Sequence, residues 1–227
     1  MNNPLVSVVM AVKDGERFVA AAIKSVLAQD YRPIEILVVD GHSTDRTAEI
    51  AKSFSEVRYI LQEERGVPDA YNLGIKEARG AFIAFLSSDD LWMTDKLSAQ
   101  VGYLLSHPHV EYATARVKFF LEPGYAKPSG FREELFAGDH VAHIMETLVA
   151  RRSAFEKVGT FDLALKTAHD VDWFARANDQ SVPTAVIDKV LLHKRVHDEN
   201  ISVNSQANTQ ELLQAIRGSI LRKRSGS

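Results

Sequence analysis

The 227-residue chain has no cysteine, which excludes a disulfide framework and thiolate metal sites and fits a reducing compartment. It also lacks any apolar run near the roughly 18 residues that a membrane span needs, and "MNNPLVSVVM" lacks the positive start of a secretory signal. Neither sign of charge dominates. Lys and Arg number 27 against 30 Asp and Glu, a net charge of −3 that argues against a surface built for nucleic acid. The glycines form neither Gly-x-Gly-x-x-Gly nor a Gly-x-x-x-x-Gly-Lys-Ser/Thr loop, so neither a hydride-transfer cofactor nor a P-loop is supported. Internal repeats and low-complexity linkers are absent. What remains reads as one globular, cytoplasmic protein. Its basic end, "RGSILRKRSGS", goes no further than peripheral contact with the inner face of an anionic membrane.

What the sequence does contain is an alternation of two periods. "LVSVVMAV" (Leu5 to Val12), "IEILVVD" (Ile34 to Asp40), "VRYIL" (Val57 to Leu61) and "FIAFL" (Phe82 to Leu86) read as strands. Between them Phe18, Ala22, Ile23, Val26 and Leu27 recur at helical spacing, Ser43 or Thr44 is expected to cap a helix through Phe54, and Asp69 to Ala78 reads as a third helix. Apolar strands alternating with helices predict a parallel sheet covered on both faces. Further on come a helix over Lys96 to Leu105 and a long strand over Val110 to Leu121, then the loop "EPGYAKPSGF". A short helix near Asp139 to Glu146, a strand "TLVAR" and a Ser153-capped turn to Val158 closed by Gly159 follow. The chain ends with a helix over Asp170 to Ala177, the extended segments "TAVID" and "VLLHKRV", and a helix over Gln210 to Arg222. The second half reads as an irregular extension of the same sheet: 1–106 as the ligand-binding half, 107–205 as its continuation, 206–227 as helix and tail.

In open parallel sheets ligands bind beyond the carboxyl ends of the strands. Polar clusters stand at three such ends: "VKDG" after the first strand, "DGHSTD" after the second and "SSDD" after the fourth. Each alone is an ordinary turn or helix cap; their convergence on one edge points to a site. Asp89 and Asp90 are adjacent like charges at the end of an apolar strand, an arrangement that resists desolvation unless something compensates. A divalent cation, Mg²⁺ or Mn²⁺, suits them, because it takes one or two carboxylates and completes its shell with water and phosphate. Asp40 is placed to accept hydrogen bonds from a base or sugar. Asp170 and Asp172 cannot share one helix face, so at most one is expected to point into a site. His197 taken alone is more often a structural histidine; Trp92 and Trp173 read as core or pocket wall, Asn72 and Arg79 as ordering the third helix and its exit, and His42 as an exposed loop residue.

Together "VVDGHSTDRT", "GVPDAYNLGI", "FIAFLSSDDLW", "RRSAFEKVGTFDLALKTAHDVDWFARA" and "LLHKRVHDENIS", in that order between about Leu5 and Ser202, resemble the family 2 glycosyltransferases of GT-A fold, in the subgroup found in bacterial surface-polysaccharide and glycolipid assembly. The resemblance implies an α/β GT-A fold: a Rossmann-like, mostly parallel central sheet with helices on both faces and an irregular C-terminal acceptor side. It also implies a nucleotide-diphosphate sugar donor, a UDP-sugar in the first instance, a divalent cation (Mn or Mg), and a glycan or lipid-linked acceptor. Position by position, Asp40 would contact the nucleobase with Ala11 and Lys13 beside it; Asn72, Ser88 and Arg195 would join the donor side. Asp89 would be the metal-binding end of the Asp-x-Asp motif, His197 would approach metal and diphosphate, and Asp170 matches the catalytic base. A single base opposite the leaving group implies inversion at the anomeric carbon.

The departures from the family pattern are Ser87 at the first Asp-x-Asp position, Lys13 after the first strand, and His169 where Glu often precedes the base. Two alternatives stand beside this reading. A nucleotidyltransferase would release pyrophosphate and need a Gly-rich basic loop after the first strand, which "MAVKDGERF" only faintly resembles. A non-catalytic sugar-nucleotide-binding protein is kept open by Ser87.

Overall fold

Along β1 (Val6–Val12) Val6, Val8, Met10 and Val12 face one side and Val9 the other, and all are buried. A strand buried on both faces requires a helical layer on each. The first half supplies both, as α1 (Val19–Leu27), β2 (Ile34–Asp40), α2 (Thr47–Lys52), β3 (Val57–Leu61), α3 (Val67–Glu77) and β4 (Phe82–Phe85). β1 pairs in parallel with β2, Val6 opposite Ile34 and Val12 opposite Asp40, and on its other edge with β4, Val6 opposite Phe82. Strand order therefore reverses between β1 and β4, opening a crevice beyond their carboxyl ends.

The second half continues the sheet with β5 (Leu91–Trp92), α4 (Lys96–Ser106), β6 (Tyr112–Leu121), β7 (His140–Val141), β8 (Val149–Arg151), α5 (Arg152–Val158), α6 (His169–Asp179), β9 (Thr184–Val196) and α7 (Ser205–Ser225). The computed structural model describes residues 3–63, 66–128, 131–197 and 205–225. Nine strands form one sheet in the order β3-β2-β1-β4-β8-β6-β9-β5, with β7 on β6. β8 runs antiparallel to β4 and β6, β5 to β9 and β7 to β6, while the rest are parallel. On one face α1 and α4 bury Val19, Ile23, Leu97 and Val101 against the even residues of β1. On the other, α3, α5 and α6 bury Tyr71, Phe155 and Trp173 around Val9 and Leu37. Each such side chain contributes about 1.5–3 kcal/mol on burial. Gly74 lets α3 lie against β1, since a Cβ there would stand 2.1 Å from Val9 Cγ1.

Four expectations are corrected. The helix expected near Asp139 to Glu146 is β7 followed by a 3₁₀ turn over Met145–Thr147. "TAVID" and "VLLHKRV" are one strand, β9; the break read between them is a bulge, where Ile187 opposes Ala115 and Val190 opposes Arg116. Ser43 and Thr44 do not cap α2, which begins only at Thr47, because both are engaged in a contact between loops. Ser153 lies inside α5 and donates to Glu111 Oε2 at 2.5 Å instead of capping the helix. Gly159 does end α5, at φ 87°, and Trp92 and Trp173 are core residues.

Candidate active site

The loops after β1 and β2 are fastened to each other. Asp14 N–H donates to Ser43 Oγ at 2.9 Å, Thr44 N–H to Asp14 Oδ1 at 2.7 Å, Gly15 N–H to Thr47 Oγ1 at 2.8 Å and Glu16 N–H to Asp45 Oδ2 at 2.9 Å. Asp14 and His42 take left-handed conformations, φ 49° and 62°, and His42 is exposed as expected. Gly15 passes so close to the end of β4 that a Cβ would lie 3.2 Å from Ser88 Oγ. Between this pair of loops, the end of β4 and the second half lies a cavity of about 490 Å³, the size of a small-molecule site. Ala11, Lys13, Ser88, Asp89, Asp170 and His197 all line it.

The adjacent acids have separate fates. Asp89 faces the cavity, and its Oδ2 is 3.2 Å from His197 Nε2. Burial acts to raise the Asp89 pKa, but the His197 hydrogen bond and the Lys194 charge outweigh it and hold the carboxyl below its usual range. Asp90 is fully buried and turned inward: Oδ1 accepts from Arg195 N–H at 2.9 Å and Oδ2 from Lys194 Nζ at 2.8 Å. Its pKa is pushed up to about 7, by burial first and then by the charges of Asp89 and Glu146, against the pull of Lys194. The dication expected to balance both acids is therefore needed only at Asp89; an internal lysine answers Asp90. Burial opposes the charge of Lys194, yet Asp90, Glu146 and Asp89 together hold its pKa well above the ordinary value.

Asp170 stands in the first turn of α6 and reaches the same cavity. Its Oδ1 accepts from Val171 N–H at 2.7 Å. Burial and the Glu146 charge raise its pKa despite opposing pulls from His169, the Val171 amide and Lys194, which makes this carboxylate a stronger base than a free one. The N-terminus of α6 is fixed from α7: Glu211 Oε2 accepts from Thr167 N–H, Thr167 Oγ1 and Ala168 N–H at 2.6, 2.8 and 3.0 Å. Asp172 turns away and pairs with Arg176 at 2.7 Å, so only one of the two aspartates points into the site.

Three residues expected on the donor side do not line the cavity. Asp40 is buried, with Oδ1 accepting from the Ser43 amide and hydroxyl at 2.8 and 2.7 Å and Oδ2 accepting from Tyr59 Oη at 2.8 Å, so it braces the loop base. Asn72 closes a two-way bond with the Phe161 main chain, donating to its carbonyl at 2.9 Å and accepting from its amide at 2.8 Å; it docks α3 on the second half. Arg195 is sandwiched between Phe18 and Phe120, donates to the Asp89 carbonyl at 2.7 Å and pairs with Glu122, so it aims Asp89 from behind. Sequence reasoning missed Glu146, Lys194 and Tyr71, all cavity-lining. The stretch "HDENIS" runs beyond His197 outside the described residues.

Residues 7–169 match the model of glycosyl transferase family 2, most of the chain. The chain belongs to that family. The match stops one residue before Asp170. An uncharacterized glycosyltransferase of Rickettsia typhi is 32% identical over 97% of this chain and 73% of its own length. The Escherichia coli UDP-Glc:alpha-D-GlcNAc-diphosphoundecaprenol beta-1,3-glucosyltransferase WfgD is 39% identical over 47% of this chain and 44% of its own. Among solved structures, S. aureus TarS in complex with UDP aligns with TM-score 0.72 and 21% identity over 95% of this chain and 65% of that one. The Pyrobaculum calidifontis mannosyltransferase PcManGT in complex with GDP-Man and Mn²⁺ aligns with TM-score 0.73 and 20% identity over 97% and 65%. The fold of this family 2 chain is thus GT-A, and it spans only part of the length of each of these relatives.

Family 2 implies a divalent cation, and the residues present suit one. Among the described residues no three His, Asp or Glu side chains cluster as a full metal cage. Asp89 and His197 nonetheless offer a carboxylate oxygen and an imidazole nitrogen at the cavity wall, and a hard cation bound with nucleotides draws its remaining ligands from phosphates and water.

Proposed function

We propose that this chain is an inverting glycosyltransferase that moves a sugar from a nucleotide-diphosphate donor, a UDP-sugar in the first instance, to a hydroxyl of a glycan or lipid-linked acceptor in cell-surface polysaccharide assembly. The observation that carries this is the sharing of one cavity by Asp89 with His197 and by Asp170, at the carboxyl edge of the parallel strands. Residues 1–106 form the donor half, with Ala11, Lys13 and Ser88 against the nucleotide, and 107–205 the acceptor side. Asp170 takes the proton of the attacking hydroxyl as its oxygen bonds to the anomeric carbon and the bond to the diphosphate breaks. Asp89 and His197 would hold Mn²⁺ or Mg²⁺, which when bound supplies positive charge to the diphosphate. The names of WfgD, TarS with UDP and PcManGT with GDP-Man and Mn²⁺ support donor and cation.

Contact with a membrane surface belongs to the same reading. α7 docks on α6 through Glu211, Ala215, Ser219 and Arg222, and its opposite side exposes Leu213, Ile216, Ile220 and Leu221 by 48, 50, 46 and 62% together with Arg217 and Arg224. Aliphatic and cationic side chains on one face suit an anionic, lipid-bearing surface. Among the described residues no helix is long and apolar enough to cross a membrane. A thermal-shift panel of UDP-, GDP- and dTDP-sugars with and without Mn²⁺ tests the function: a metal-dependent rise in Tm with at least one of them is expected, and a flat panel would count against it.

A further inference from the structure

The 3₁₀ turn Met145–Thr147 is held from behind by three buried side chains. Trp92 Nε1 donates to the Glu146 carbonyl at 3.2 Å, and Lys96 Nζ and Gln100 Nε2 donate to the Thr147 carbonyl at 3.1 and 2.9 Å. Thr147 Oγ1 adds bonds to the Ala142 and Ile144 carbonyls at 2.9 and 2.8 Å. Lys96 is completely buried, a costly placement for an amine that its hydrogen bonds to Gln100 Oε1 and the Thr147 carbonyl offset in part.

The carboxylate of that turn points the other way, into the cavity. Ser87 Oγ donates to Glu146 Oε1, and Lys194 Nζ stands 3.5 Å from the same oxygen. Oε2 meets no other side-chain donor among the described residues. Lys194, whose closer partner is Asp90 at 2.8 Å, offsets only part of the Glu146 charge, and the Ser87 hydroxyl already occupies one of its oxygens. A fixed carboxylate at a cavity wall accepts hydrogen bonds from neutral O–H donors, and two adjacent hydroxyls fit its lone-pair directions. Neither cation binding nor proton removal uses this group, since Asp89 and Asp170 take those tasks.

We propose that Glu146 reads the ring hydroxyls of the transferred sugar, accepting one or two hydrogen bonds from them while the nucleotide end of the donor lies toward Asp89. Ser87 and Lys194 position it. The proposal rests on the transferase reading above and adds to it the group that selects the sugar.

Isothermal titration of the full chain with UDP, UDP-glucose, UDP-galactose, UDP-N-acetylglucosamine, GDP and GDP-mannose provides the test. For the sugar nucleotide that wild type binds best, Glu146→Gln is expected to weaken binding about tenfold or more while changing the parent nucleoside diphosphate less than about twofold, the scale of hydrogen bonds to a charged group. Wild type should also discriminate against a deoxy analogue of that sugar nucleotide at one ring position, and Glu146→Gln should not. If Glu146→Gln does not fold, Ser87→Ala retains the charge while loosening Oε1 and should produce the same sugar-selective loss, about threefold. Equal weakening of sugar nucleotide and nucleotide, or unchanged binding of both, overturns the proposal. So does an intact donor affinity with a raised acceptor KM, which would move Glu146 to the acceptor. Failure of wild type to bind any of the six ligands would instead remove the transferase reading itself, and this assignment with it.

Discussion

The wall made by β1, β2 and their loops is fastened by short-range contacts that follow the order of the strands, whereas the wall carrying Glu146, Asp170, Lys194 and His197 is fastened by side chains that reach across the chain. In the first wall the side chains of Asp14, Ser43 and Thr47 accept from the main-chain amides of Thr44, Asp14 and Gly15. In the second, Trp92, Lys96 and Gln100 hold the Glu146 turn, Glu211 holds the start of α6, and Arg195 holds the Asp89 main chain. The first arrangement shapes one side of the cavity; the second turns individual carboxylates and cations into it. On the proposed function, donor binding can thus stay intact while the chemistry is lost.

That contrast can be broken most sharply at Asp170. Asp170→Asn is expected to lower kcat by roughly 10²–10⁴ while UDP affinity measured by titration stays within about twofold, because the amide cannot accept the proton. A loss of nucleotide affinity equal to the loss of rate would put Asp170 in the donor wall. Asp89→Asn should do the converse, weakening Mn²⁺-dependent nucleotide binding about tenfold or more, read as the difference between titrations with and without the ion.

A pH series separates the supports. Burial pushes the Lys96 pKa down to about 7 from the ordinary 10.5, so between those values the unfolded chain binds a proton here that the folded chain does not. Stability should therefore rise with pH across that window, and fall as pH drops toward 7, by on the order of 1–2 kcal/mol between pH 7 and 9. Lys96→Met should flatten this slope in chemical denaturation, and an unchanged slope would mean that another group carries it. The smallest effect is expected from Glu211→Ala, which leaves three donors at the start of α6 without their acceptor. It should cost about 0.5–2 kcal/mol of stability and lower kcat severalfold with donor affinity unchanged.

The regular half was legible because its signals are local. Strand ends at Val12 and Asp40, and at Phe85 one residue short of the expected Leu86, the buried periodicity of α1, and the convergence of "VKDG" and "SSDD" on one edge all follow from short-range pattern. Asp89 and Asp170 were found by motif and do share the cavity. Asp40, Asn72 and Arg195 sat in the right motifs, but tertiary partners claim their polar atoms, and motif spacing carries no information about that competition. Glu146 was invisible because it follows an irregular segment with no periodicity, and its significance appears only when β4 and α4 bring Ser87 and Lys96 to either side of its turn. Lys194 lies in "VLLHKRV", whose extended pattern carries no sign that the buried Asp90 takes it as a partner.

Arg195 joins two places that a substrate would visit separately. One end grips the main chain of Asp89, the other pairs with Glu122 where the chain leaves β6 for the loop of the second half. One side chain thus ties the end of β6 to the main chain that carries Asp89 into the cavity. That guanidinium, lying over the rings of Phe18 and Phe120, makes the setting of one carboxylate depend on three separate stretches of the sequence.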